Sequence, residues 1–332
     1  MLDNNILIII LLFLFNICII GYIKFANQYR IVSIPKNRDS HIEIKPKGAG
    51  IIFFFILLVI IINNLSNFEI NNFFFITLCS IPVITIFSFF DDIYDLSWKY
   101  KITIDLSTSI LIIYLFYDNL KNLDYFESNI YVLIPILILS ISWFINLINF
   151  TDGSDGYLIS FTILNIAANL LIKLYFENNI NYFNLCLLFI SLNFLYYNYY
   201  KSSIFLGDCG SRLIAVILII NIIYDFIYYD LYIFLIWILS LLMIILDTGI
   251  TLLQRIFINK KVLQEHKDHS YQILTNKLSH KSSLIWMILN YLFFVMPGIF
   301  LYINNVFNFI YVFIILSLLF IYQIIYIKLK FK

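Results

Sequence analysis

Residues 131–156 read YVLIPILILSISWFINLINFTDGSDG. From Tyr131 to Ile145 the stretch carries no charge, and it then ends in Asn146, Asn149, Asp152 and Asp155. An apolar segment of about 20 residues crosses a bilayer as a helix. An aspartate at bilayer depth costs roughly 2.5–3.5 kcal/mol on insertion scales, so such residues mark function. Gly153 and Gly156 let this backbone approach a ligand or take a positive φ. Asn146 and Asn149, one helical turn apart, can present amides or a metal-ligating carbonyl oxygen at the span end. A polar hairpin turn explains one Asp-Gly pair but not two flanked by spaced asparagines.

The pattern of lipid-length segment followed by acidic loop recurs along the chain. With 62% hydrophobic and 12% charged residues, the chain is unlike a soluble domain, which has about 25% charged residues. Hydropathy gives eleven candidate spans: 6–23, 49–62, 73–90, 102–117, 131–148, 157–175, 182–198, 212–228, 231–248, 284–302 and 307–327. The first is read as a retained membrane helix, because no positive n-region precedes it and no small-residue cleavage site follows. The fold class expected is therefore all-α, a polytopic membrane protein of about 10–11 transmembrane helices forming a single unit over residues 1–332. The net charge of +1 and the lack of a basic tract argue against nucleic acid as a partner. Four cysteines show neither paired nor metal-like spacing.

Loop charge sets the expected orientation. With the N-terminus outside, 19 of the 21 Lys and Arg lie in or beside inside loops, and only Lys121 and Lys173 fall elsewhere. This arrangement puts the acidic loops and the longest loop, with His266 and His269, on the cytoplasmic face.

Two other acidic motifs stand beside the first. Asp91, Asp92 and Asp95 follow an apolar run; if the helix continues through them they share a face at i, i+3/i+4. Such carboxylates suit a divalent cation bridged by phosphates, or a proton acceptor. A solvated helix end beside Lys99 and Lys101 is the plain alternative. Asp208 lies between Gly207 and Gly210 just before a span; it suits Mg²⁺ whose other ligands are phosphate oxygens, or simply caps a helix. His266 and His269 have no nearby cysteine, which disfavours structural zinc. With Arg255, Lys260, Lys261 and Lys267 they suit a cationic, hydrogen-bonding grip on phosphate or sugar. His41 and His280 read as loop residues, His41 beside Arg38, Lys45 and Lys47.

Taken together, residues 34–50, DDIYD, NLINFTDGSDG, IFLGDCGS and His266–Gln272 resemble the polyprenyl-phosphate N-acetylhexosamine-1-phosphate transferases (glycosyltransferase family 4). The loop HKDHSYQ resembles the O-antigen-initiating branch, which uses N-acetylfucosamine or N-acetylquinovosamine phosphate. The resemblance implies transfer of a sugar-1-phosphate from a UDP-N-acetylhexosamine, a 6-deoxy form among the candidates, to undecaprenyl phosphate, releasing UMP. It implies an enzyme of a bacterial inner membrane that uses Mg²⁺, with Mn²⁺ as a substitute, and a homodimer is a candidate assembly. Residue by residue, it implies catalytic roles for Asp91, Asp92 and Asp95, and metal ligation by Asp208 with Asn149. Asn146, Asp152, Asp155, Asn198, His266, His269 and Lys47 would bind substrate. Ser154, Thr151, Cys209 and Ala49 depart from the usual family residues without removing a polar group. An intramembrane prenyltransferase, with two similar Asp-rich repeats, and a transporter, with carboxylates at mid-depth, are the competing readings.

Overall fold

The structure, a computed structural model, describes residues 4–35, 43–65, 72–123, 129–177, 181–258 and 266–331. Arg38, His41, Lys260 and Lys261 lie outside the described residues. The expected all-α architecture is found. In chain order the helices are α1 (Asn4–Gln28), α2 (Gly50–Leu65), α3 (Asn72–Tyr94), α4 (Trp98–Lys121), α5 (Ile130–Asn149), α6 (Tyr157–Glu177) and α7 (Tyr182–Leu195). They continue with α8 (Gly207–Phe257), α9 (Ser270–Lys277), α10 (His280–Asn290), α11 (Met296–Ile303) and α12 (Phe309–Phe331). Short π-helical turns extend α7 (Tyr196–Tyr200) and join α10 to α11 (Tyr291–Val295). Among the described residues, nine helical segments are long and apolar enough to cross a membrane, and α2 is a shorter apolar helix.

In α8 the helical pattern runs unbroken for 51 residues, which laid straight would extend about 77 Å. It does not lie straight. Trp237 Nε1 donates to Asp225 Oδ2 at 2.9 Å, although twelve residues of straight helix would separate them by about 18 Å. The Phe226 and Phe234 rings also meet, at 5.2 Å. The chain therefore reverses near residue 230, giving two antiparallel arms, Gly207–Tyr229 and Leu231–Phe257. These are the two spans expected from hydropathy.

The first arm of α8 is the spine of the bundle, with α3 packed along it. Phe15, Phe53 and Phe194 bring α1, α2 and α7 together edge to face at 5.2–6.4 Å. Outer helices such as α1 and α12 keep rows of large apolar side chains exposed, including Phe13, Ile17, Ile314 and Leu318. A soluble protein would bury such rows; here they suit contact with lipid.

A two-stranded antiparallel pair, β1 (Val32–Ser33) and β2 (Lys45–Pro46), interrupts the helical pattern. From β2 the chain zips onto the segment before α8: Phe205 N donates to Pro46 O at 2.8 Å and Gly50 N to Leu206 O at 3.0 Å. Lys45 and Lys47 are thereby carried to the start of α8, where Asp208 lies.

Candidate active site

α8 begins without a side-chain cap of its own at Leu206, so its first N–H groups need outside acceptors. Asp92, at the end of α3, supplies them. Its Oδ1 accepts from Asp208 N and its Oδ2 from Cys209 N, each at 3.1 Å. A carboxylate at a helix N-terminus also meets the favourable end of the macrodipole. Gly207 makes the approach feasible. Its φ is +78°, and a Cβ there would stand 2.5 Å from Asp92 Oδ2.

Asp91 and Asp208 converge on one ammonium. Lys101 Nζ, on the first turn of α4, lies 2.7 Å from Asp91 Oδ2 and 3.0 Å from Asp208 Oδ2. Asp91 Oδ1 accepts from Leu96 N at 2.8 Å, closing the turn between α3 and α4. That turn ends the helix at Tyr94 and gives Asp95 a φ of +47°. The expected shared face for Asp95 is therefore not formed. Its carboxylate is 76% exposed and meets Lys47 Nζ at 3.3 Å.

One turn deeper stands a second cross-helix pair of opposite polarity. Asp105 on α4 faces Arg212 on α8 at 3.6 Å, both fully buried. Asp105 Oδ2 also accepts from Asn146 Nδ2 at 2.8 Å. Asn149 accepts from the Ser211 hydroxyl, which in turn lies 3.3 Å from Asp208 O.

The Asp152–Gly156 loop is pinned from three sides. Gly156, with φ +74°, donates its N–H to Asn198 Oδ1 at 2.9 Å, and Asn198 Nδ2 donates to Ile204 O at 3.0 Å. Gly153 N donates to Tyr271 OH at 3.1 Å, and Tyr271 OH donates to Phe150 O at 2.5 Å. A Cβ at Gly153 would stand 2.6 Å from that hydroxyl oxygen. His280 Nδ1 accepts from Asp155 N at 3.0 Å and lies 3.1 Å from Ser154 Oγ. Asp155 turns away from Asp208 toward Lys45, at 3.4 Å, and the Ser202 hydroxyl. Asp152 lies within reach of the other carboxylates' charges. Burial, and then the charges of Asp208, Asp92 and Asp155, hold its carboxyl well above the usual carboxylate range.

His266 and His269 stand with ring centroids 4.9 Å apart beside Phe150. The helix α9 that follows is capped as α8 is: Asp247, from the second arm of α8, accepts from Ser270 N at 3.0 and 3.2 Å. Burial, His269 and Arg255 lower His266 to about 4, and burial lowers His269 as well. The expected cationic grip is thus corrected. Both rings are neutral near pH 7, and any hold on phosphate by this loop comes from neutral imidazoles and neighbouring Lys or Arg.

The structure brings Asp91, Asp92, Asp152 and Asp208 to one end of the bundle, with Lys47, Asn146 and Asn149 beside them. Asp155 and Asn198 form the adjoining wall, and Asp95 lies at the rim. Sequence reasoning gave no site role to Lys101, Tyr271 or His280, which it met only as neighbours or loop residues, and it did not single out Asp105 or Arg212. Asp105 and Arg212 had a usable signal, being charges inside apolar runs. Among the described residues, no group of three or more His, Cys, Asp or Glu can hold a metal by itself. The oxygen donors present fit an ion held by one or two carboxylates together with phosphate, which is how Mg²⁺ is commonly bound.

Fold and site together define a polytopic membrane protein with a carboxylate-rich centre at the end of its helix bundle. Residues 74–225, just under half of the chain, match the family described as Glycosyl transferase family 4. The chain is 26% identical over 303 residues to a Bacillus subtilis (strain 168) protein named "Probable undecaprenyl-phosphate N-acetylglucosaminyl 1-phosphate transferase". That match covers 86% of this chain and 82% of the relative. It is 29% identical over 231 residues to the phospho-N-acetylmuramoyl-pentapeptide-transferase of Buchnera aphidicola subsp. Baizongia pistaciae, over 57% of this chain and 66% of the relative. Neither name specifies the O-antigen branch suggested by the His loop.

Proposed function

We propose that this protein transfers a sugar-1-phosphate from a UDP-N-acetylhexosamine to undecaprenyl phosphate, at the cytoplasmic face of a bacterial inner membrane. The observation that carries this reading is the meeting of Asp91 and Asp208 on Lys101, with Asp92 and Asp152 close by, at one end of a lipid-facing bundle. The Bacillus subtilis relative's name supports the acceptor, and both names support the phospho-sugar chemistry.

The acceptor and donor are both anions, so the chain's main task is to hold them in line against their repulsion. An oxygen of the lipid phosphate forms a bond to the phosphorus that bears the sugar. The bond from that phosphorus to the bridging oxygen breaks, and UMP leaves with the electron pair. Asp208 and Asp152, with the Asn149 carbonyl oxygen, would hold Mg²⁺, which supplies charge neutralisation on the diphosphate. Lys101, shared between Asp91 and Asp208, is the cation placed to meet an incoming phosphate. Asp92 keeps the start of α8 in register, so that Asp208 faces the same point. Asn198, Tyr271 and His280 fix the loop that presents Asp152.

The His266–Gln272 loop supports a 6-deoxy-N-acetylhexosamine donor for O-antigen initiation as the finer reading. The test is a panel of UDP-N-acetylfucosamine, UDP-N-acetylquinovosamine and UDP-N-acetylglucosamine, assayed with undecaprenyl phosphate and Mg²⁺ on purified protein. Lipid-linked sugar from one donor is expected. Turnover with UDP-N-acetylglucosamine alone would overturn the 6-deoxy assignment. Failure of every nucleotide-sugar would overturn the enzyme class.

A further inference from the structure

Two ion pairs bridge α4 and α8 at successive turns, with their polarity reversed. Lys101 on α4 meets Asp208 on α8 at the mouth; four residues deeper, Asp105 on α4 meets Arg212 on α8. The mouth pair is partly exposed, whereas the deep pair is 0% and 1% exposed. The deep pair is also poorly matched. A guanidinium offers five donors and usually meets a carboxylate through two parallel bonds. Here Nη1 stands 3.6 Å from Asp105 Oδ1, and among the described residues Nε and Nη1 make no hydrogen bond. Arg212 is therefore incompletely compensated by Asp105, and its field reaches Asp208, one helical turn back on the same face. Asp105 also grips Asn146 and acts on Asp208 with the opposite sign.

We infer that Asp105 and Arg212 are positioning residues that fix the Asn146 amide and set how strongly Asp208 attracts a divalent cation. The inference rests on the metal reading given above. Residues pairing across two helices at depth cannot reach the reacting phosphates; they act through Asp208 and Asn146. The residual positive charge left by this incomplete pairing moderates the pull of the acidic mouth on a cation.

The test is Mn²⁺ titration of purified full-length protein by electron paramagnetic resonance, without nucleotide-sugar, so that metal binding is read apart from turnover. Asp105→Asn leaves Arg212 uncompensated and should raise the Mn²⁺ dissociation constant about ten-fold, while Arg212→Met should lower it about ten-fold. The double variant Asp105→Asn/Arg212→Met should return to within about three-fold of wild type. Melting temperatures without metal provide a second readout. Each single variant should lose stability, and the double should recover much of it, because a lone buried charge costs more than none. Unchanged Mn²⁺ affinity in both singles, alongside lowered melting temperatures, would make the pair scaffold only and overturn the inference. A wild-type protein that binds no Mn²⁺ would instead overturn the metal reading itself, and the inference with it.

Discussion

Asp225 is a fully buried acid in this bundle and Asp152 a half-buried one, and their surroundings could hardly differ more. Asp225, far along the first arm of α8, accepts from Asn169 at 3.0 Å, Lys173 at 2.5 Å and Trp237 at 2.9 Å. Asn184 extends that network to Asn169 and Asn221, so α6, α7 and both arms of α8 are tied at one joint. Lys173 also lies over the Tyr229 ring at 5.0 Å. Asp152 accepts no hydrogen bond among the described residues and is surrounded by other carboxylates. In a low-dielectric interior an unsatisfied charge is expensive. A saturated carboxylate fits a joint, and one left among like charges fits the ligand-holding role proposed for Asp152.

The comparison breaks most visibly at Asp152. Asp152→Asn should lower kcat for sugar-phosphate transfer by about 10²-fold or more, with little change in melting temperature. A drop in stability with kcat intact would assign Asp152 to the scaffold. Asp225→Leu or Lys173→Met alone should destabilise by about 3–5 kcal/mol, and the pair changed together by far less. Activity per folded molecule should survive in all three, measured after size-exclusion recovery. Tyr271→Phe removes both pins between α9 and the Asp152 loop, for about 1–3 kcal/mol. Its main mark should be a raised KM for the nucleotide-sugar, which steady-state kinetics would read.

The smallest effect expected is one of pH. Folding holds His266 and His269 below the free-imidazole value of 6.5. The unfolded chain therefore takes up more protons as pH falls from about 6.5 toward 4, and stability declines through that window. Asp152, raised by folding, acts with the opposite sign, and its contribution falls as pH climbs above the usual carboxylate range. Thermal melts from pH 4 to 8 should show the histidine slope, and His266→Asn should flatten it.

Much of this architecture was legible in the sequence. The apolar runs at 212–228 and 231–248 were read as separate spans, and the fold-back of α8 agrees. The acidic loops were expected to share one end of the bundle, and they do. Asp95 was misplaced because i, i+4 spacing assumes a continuing helix, and the Asp91–Leu96 turn ends it. Lys101 and Asp208 are partners 107 positions apart, a relation that no local spacing encodes. The Tyr271 pin was hidden for the same reason: its partners, Phe150 and Gly153, lie in a loop more than a hundred residues away.

The reversal of α8 makes that helix a pair of tongs. Its closed end is held by the Asp225–Trp237 bond; the open tip of one arm carries Asp208, and Asp247 lies partway along the other. Asp92 grips the first tip, while the second arm, through Asp247, holds the segment bearing His269. From Asp225 to Asp208 is 17 residues, a lever of about 26 Å. A one-degree change in the angle between the arms moves a tip by nearly half an ångström on that lever. A change in that angle would therefore alter the gap between the acidic loops and the histidine loop.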